Sequence, residues 1–169
     1  MSQNRDDDEH DRPSQPADHM ARRLDAFRSD WIQSLVENVL IVEGQPGEGD
    51  VLASLLRALL GRQVEARRAF GAGGALAAIA TDSPKLVLWR DAGGGAPSED
   101  GIQRLRGAGF AGPVVVVIDR LPALLAIRLR KAGALDVIEK DDLDSVRLAD
   151  ALFAAGGRAP PPSWKAAAF

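Results

Sequence analysis

The chain has no cysteine, which excludes disulfides, thiolate catalysis and cysteine metal sites and leaves the redox compartment undetermined. Histidine is almost as scarce. His10 and His19 lie in or beside a polar N-terminal stretch, where neither is positioned for acid–base work or metal ligation. Ser34, Ser54, Ser83, Ser98, Ser145 and Ser163 have no evident base to activate them, so nucleophilic catalysis has no foundation. Long apolar runs are also missing, and the longest are far too short to span a bilayer. The N-terminus is acidic and unlike a secretory leader, so a cytoplasmic location is expected.

What is present describes one globular domain with tails. The 169 residues are 46% hydrophobic and 27% charged, enough chain to bury an ordinary core. The formal net charge of -3 is unevenly spread. Residues 1–19 carry six acids (Asp6, Asp7, Asp8, Glu9, Asp11 and Asp18) against Arg5 and Arg12, and the remainder holds 19 bases and 18 acids. Residues 1–18 show no apolar periodicity and cannot bury enough surface to offset the entropy of ordering them, which predicts a disordered acidic tail. The closing residues 158–169, RAPPPSWKAAAF, cannot continue a helix through three prolines and are expected to form a flexible Pro-rich tail.

Between the tails the pattern changes twice. Residues 19–37 read as an amphipathic helix capped by Asp18, with one apolar stripe of Met20, Leu24, Phe27, Trp31 and Leu35. That stripe satisfies equally well packing on its own domain and pairing with a second copy or a helical partner. Over residues 38–157 strands and helices then alternate. The strands are VLIVE, QVEARR, LVLW, PVVVVI and LDVIE; the helices are DVLASLLRALLG, GALAAIA, SEDGIQRLRGAG capped by Ser98, ALLAIRLRKAG, and LDSVRLADALFAAGG. Five strands alternating with five helices predict an α/β fold, a doubly wound five-stranded parallel sheet with an extra N-terminal helix.

The stretch around Pro84–Ala92 organises the rest. It reads as a strand buried on both faces whose carboxyl end, with Arg90 and Asp91, faces the crevice where ligands gather in open α/β sheets. The FGAGGAL segment superficially evokes a nucleotide loop, but it follows the second strand and lacks the fingerprint spacing.

Four segments in order, VLIVEGQPG, SPKLVLW, GFAGPVVVVI and above all KAGALDVIEKDD, resemble the receiver domain of two-component response regulators, a flavodoxin-like fold. The resemblance covers about two thirds of the chain. It implies a phospho-acceptor Asp after the third strand, an acidic pair after the first strand that holds magnesium, a hydroxyl residue after the fourth and a Lys after the fifth. Here the acceptor position is Arg90, and the acidic positions fall on Gly44 and Gln45, just past Glu43. The hydroxyl position is Ile118, and the aromatic switch of the fifth strand is Val137. Lys140 is kept, but Asp141 replaces the following Pro.

An arginine stays protonated and cannot be a phosphoryl acceptor. Asp91, one step along a strand, points to the other face. Glu43 alone is too few hard ligands for magnesium. The resemblance is therefore to a degenerate, pseudo-receiver form, with no metal or other cofactor expected. Arg90 is expected to sit among Glu43, Asp119 and Lys140, placing a fixed cation where metal and phosphoryl group would bind.

The functional expectation is a non-enzymatic, phosphorylation-independent module that binds proteins, such as a signalling kinase, another regulator or a second copy. Control by a small ligand or an unconventional modification at the degenerate crevice is the alternative. The basic run Arg120, Arg128, Arg130 and Lys131, followed by Asp136, Glu139, Asp141, Asp142 and Asp144, lies where receivers form their usual dimer and output surface. Nucleic acid is a poor partner for a body so close to neutral.

Overall fold

A computed structural model describes residues 34–61, 64–93 and 98–157. The acidic tail 1–18, the stripe residues Met20, Leu24, Phe27 and Trp31, and the tail 158–169 lie outside the described residues.

The strands are β1 (Val39–Glu43), β2 (Arg67–Phe70), β3 (Leu86–Asp91), β4 (Val114–Ile118) and β5 (Asp136–Glu139). They form one parallel sheet in the order β2-β1-β3-β4-β5. The helices are α1 (Asp50–Leu60), α2 (Gly71–Thr81), α3 (Ser98–Gly107), α4 (Ala123–Ala132) and α5 (Ser145–Ala155). β1, β3 and β4 are apolar almost throughout because both sheet faces are covered. Alternation then divides the core. Ile41, Leu88 and Val117 pack with α1 and α5, whereas Val42, Trp89 and Val116 pack with α2, α3 and α4.

Three local expectations need correction. β2 starts at Arg67 and runs to Phe70, later than QVEARR, because this edge strand buries only Ala69 and so carries almost no periodic signal. α2 starts at Gly71 and runs straight on from β2, so the glycines of FGAGGAL are helical. A Cβ added at Gly74 would stand 3.6 Å from Ala69, an ordinary contact, so this glycine is not required by packing. Ser98 is the first residue of α3, and its N–H donates to Asp91 Oδ2 at 3.1 Å, so the cap comes from the end of β3.

The pole opposite the crevice is held by Arg106, in the last turn of α3. It donates to Phe110 O at 2.8 Å, Gly112 O at 2.6 Å and Gly133 O at 2.7 Å, tying together the carboxyl ends of α3 and α4. Burial lowers the Arg106 pKa from its ordinary value, yet a guanidinium remains a cation. Residues 34–36 are helical, Val36 is buried in the α1/α5 core, and Leu35 packs against that core.

Candidate functional site: a crevice filled by two arginines

The carboxyl ends of β1, β3 and β4 set the crevice. Val42 pairs with Trp89 and Arg90 with Val117, so Glu43 and Arg90 lie side by side at the top of the sheet. Arg90 is 4% exposed. Its Nη2 pairs with Asp119 Oδ1, and its Nη1 donates to Asp91 O at 2.8 Å and Val117 O at 3.3 Å. Its Nε has no partner among the described residues. The fork is thereby spread over the start of the β4–α4 connection and the end of β3.

Glu43 does not join this pair, contrary to the expectation for Arg90. The carboxylate is 2% exposed and turns to the other side of β1. There Arg68 Nη1 donates to its two oxygens at 3.0 and 3.2 Å, and Gly49 N donates to Oε2 at 2.6 Å. Arg68 Nη2 also reaches Asp50 Oδ1 at 2.8 Å. Burial works to lower the Arg68 pKa, but the Asp50 hydrogen bond and the Glu43 charge outweigh it and hold the guanidinium above its ordinary value. Two arginines therefore each neutralise one acid of the crevice, where the sequence pointed to one.

The remaining predicted positions have other occupations. Gly44 and Gln45 are exposed, and their N–H groups donate to Glu48 Oε2 at 2.9 and 3.0 Å. Asp91 points away from Arg90, as strand alternation requires. Its oxygens accept from Gly93 N at 2.9 Å and Ser98 N at 3.1 Å, so it braces the β3–α3 connection and holds the start of α3. Ile118 and Val137 are core residues of the α2–α4 side. Lys140 is exposed in a short 3-10 turn, Lys140–Asp142, and its ammonium pairs with no group among the described residues. The arrangement offers one buried cation, Arg90, and one partly exposed cation, Arg68, with carboxylates already engaged by donors, no hydroxyl at Ile118 and no free acid beside Arg90.

On the proposed interaction face, Arg128 pairs with Glu99 of α3 at 2.5 Å. Arg130 at 3.3 Å and Arg147 of α5 at 2.6 Å converge on Asp136, spanning the outer strand β5. Lys131, Asp141 and Asp142 are exposed. Leu35 belongs in part to its own domain, since it packs on the α1/α5 core. A feature missed in the sequence is the pair Leu124 and Ile127 of α4, 76% and 51% exposed. The signal was available, because ALLAIRLRKA carries more large apolar residues than the single face of a helix can bury.

No family model and no curated protein matches the chain. Solved structures do. The receiver domain of NtrX from Brucella abortus is 27% identical, with a TM-score of 0.58 over 68% of this chain and 98% of that one. The BeF3-activated N-terminal receiver domain of RstA from Klebsiella pneumoniae is 26% identical, with a TM-score of 0.56 over 66% of this chain and 92% of that one. A signal receiver domain from Vibrio parahaemolyticus shares 18% identity and a TM-score of 0.59 over 76% of this chain and 90% of that one. The fold is therefore that of a response-regulator receiver domain, a doubly wound five-stranded α/β sheet, and the likeness supports a role in signalling.

Proposed function

We propose that this chain is a pseudo-receiver, a phosphorylation-independent module that acts in bacterial-type two-component signalling by binding proteins rather than by catalysis. The observation that carries the proposal is Arg90, buried at the end of β3 and paired with Asp119, where the receiver resemblance would put the phospho-acceptor. A cation held there by carboxylate and carbonyl acceptors permanently takes the place that a metal cation would otherwise occupy, and it cannot accept a phosphoryl group. No helix among the described residues is long and apolar enough to cross a membrane, which accords with a cytoplasmic module. The partner is a signalling kinase, another regulator or a second copy. It is met through the N-terminal stripe of Met20, Leu24, Phe27 and Trp31 and through the α4 face, where Leu124, Ile127 and Lys131 are exposed.

Incubation of the full chain with acetyl phosphate and magnesium is expected to leave its intact mass unchanged, and beryllofluoride is expected to leave its amide spectrum unchanged. A stoichiometric phosphoryl adduct would overturn the proposal.

Arg90→Ala tests the latch separately. Asp119 is 44% exposed and rehydrates when its partner is lost, so the cost comes mainly from the hydrogen bonds to Asp91 O and Val117 O and from lost packing. A loss of roughly 1–2 kcal/mol is expected in denaturant unfolding. Amide exchange should quicken over residues 119–121, and unchanged exchange there would show that the pair holds nothing in place.

A further inference from the structure

α4 presents an unpartnered stripe to solvent. Leu124 and Ile127 are 76% and 51% exposed and stand three residues apart, so they share one face of the helix, and Lys131 continues that face one turn on. Residues 120–135 hold four bases, Arg120, Arg128, Arg130 and Lys131, and no acid. Glu99 engages Arg128, and Asp136 engages Arg130. Arg120 and Lys131 remain, exposed and without an ion pair among the described residues, one before the apolar pair and one after it. That layout disfavours pairing of α4 with itself. In an antiparallel α4–α4 pair that sets Leu124 over Ile127, the same register sets Arg120 over Lys131, cation on cation, twice. A parallel pair stacks Lys131 on Lys131. The occupant of this face must bring acids beside an apolar helical stripe.

The chain carries such a segment itself, in the residues before Ser34. The apolar stripe of Met20, Leu24, Phe27 and Trp31 is preceded by residues 1–18, with six acids against two bases. As a helix, Met20 to Trp31 would be about 17 Å long, against about 15 Å for the ten residues of α4. Where the segment joins the domain decides which copy it meets. Leu35 and Val36 pack on the α1/α5 core, and beside them Lys85 Nζ donates to Ser34 Oγ at 3.0 Å and pairs with Glu37 Oε2 at 3.3 Å. α4 covers the opposite face of the sheet, so a helix running back from Ser34 has its own sheet between the stripe and α4. We propose that the stripe and the acidic residues before it dock on the Leu124 and Ile127 face of α4 in a second copy of this chain, each copy giving its segment to the other about a two-fold axis. The inference rests on the protein-binding reading of the chain and names the occupant of the α4 face.

Sedimentation equilibrium of the full chain should show a dimer with a Kd on the order of 10 µM. Ile127→Glu, at an exposed position, should raise that Kd roughly tenfold or more while the circular dichroism of the domain stays unchanged. Lys131→Glu should raise it roughly fivefold at low salt and by less at high salt. Because the chain has no cysteine, Ala123→Cys gives a single site for a nitroxide beside the stripe. Mixed with ¹⁵N-labelled parent chain, the spin-carrying chain at natural isotopic abundance should broaden the amides of Met20 to Trp31 in the labelled one. A chain still monomeric at about 200 µM, a dimer indifferent to Ile127→Glu, or broadening of α4 amides in place of the stripe would each overturn the pairing. So would broadening seen only when nitroxide and ¹⁵N share one chain, since that is the segment folding back on its own α4. None of these outcomes touches the pseudo-receiver reading, which stands or falls on the acetyl phosphate experiment.

Discussion

Gly101→Ala is expected to lower the midpoint of thermal unfolding by roughly 8 °C, corresponding to about 2 kcal/mol in a domain of this size. Gly101 is buried in α3, directly against the indole of Trp89. A Cβ built there would stand 2.1 Å from Trp89 Cη2 and 2.5 Å from Cζ2, separations that atoms cannot hold. The ring is itself 3% exposed and enclosed by the α2–α4 core, so it cannot swing aside into solvent. Overpacking of this kind costs about 1–3 kcal/mol or somewhat more, against a gain of about 1 kcal/mol from replacing glycine within a helix, so the clash wins. Gly107→Ala on the same helix is the control. Nothing lies within 4 Å of its added Cβ, and the backbone there is not left-handed, so only the propensity gain acts and the midpoint should hold or rise. A Gly101→Ala protein as stable as the parent would show that Trp89 has room to give.

The Trp89–Gly101 contact illustrates what could be read in the chain and what could not. A glycine inside a helical pattern signals a close approach without naming the neighbour, and nothing local says that the neighbour is a tryptophan 12 residues upstream. The interior strands were legible because β1, β3 and β4 are continuous apolar runs between turn residues. α1, α4 and α5 were legible because Gly61, Gly133 and Gly156 stop them. β2 was displaced because a four-residue edge strand with one buried position leaves no period to detect.

The crevice divides in the same way. Arg90 at the end of β3 and its partner Asp119 followed from the register of neighbouring strands. Glu43 was expected to share that arginine because β1 also adjoins β3. Strand adjacency cannot tell which of two flanking cations a carboxylate takes. Arg68 won from the edge strand, where Gly49 and Asp50 close the same small network around the buried oxygens. Consecutive Arg67 and Arg68 in a strand held the clue. Alternation sends them to opposite faces, and Arg67 does reach the other way, to Asn38 Oδ1 at 2.9 Å and Asp82 O at 2.5 Å.

Arg68→Ala is accordingly expected to be the most damaging single charge removal in the crevice, at about 3 kcal/mol in denaturant unfolding near neutral pH. The reason is asymmetry of exposure. Asp119 can rehydrate when Arg90 is lost, but Glu43 is 2% exposed and would be left with only the Gly49 N–H as partner. Leaving one member of a fully buried pair costs about 3–5 kcal/mol, and the lower end applies because the Arg68 side chain is itself 30% exposed. The cost resides in the stranded charge more than in the lost contact, which a second substitution can isolate. Glu43→Gln alone gives up the ion pair but keeps a side chain that can accept from Gly49, so it should cost less than Arg68→Ala. In the double variant the stranded charge is gone, and stability should recover by roughly 1–2 kcal/mol relative to Arg68→Ala. Additive losses would show that Glu43 and Arg68 act independently.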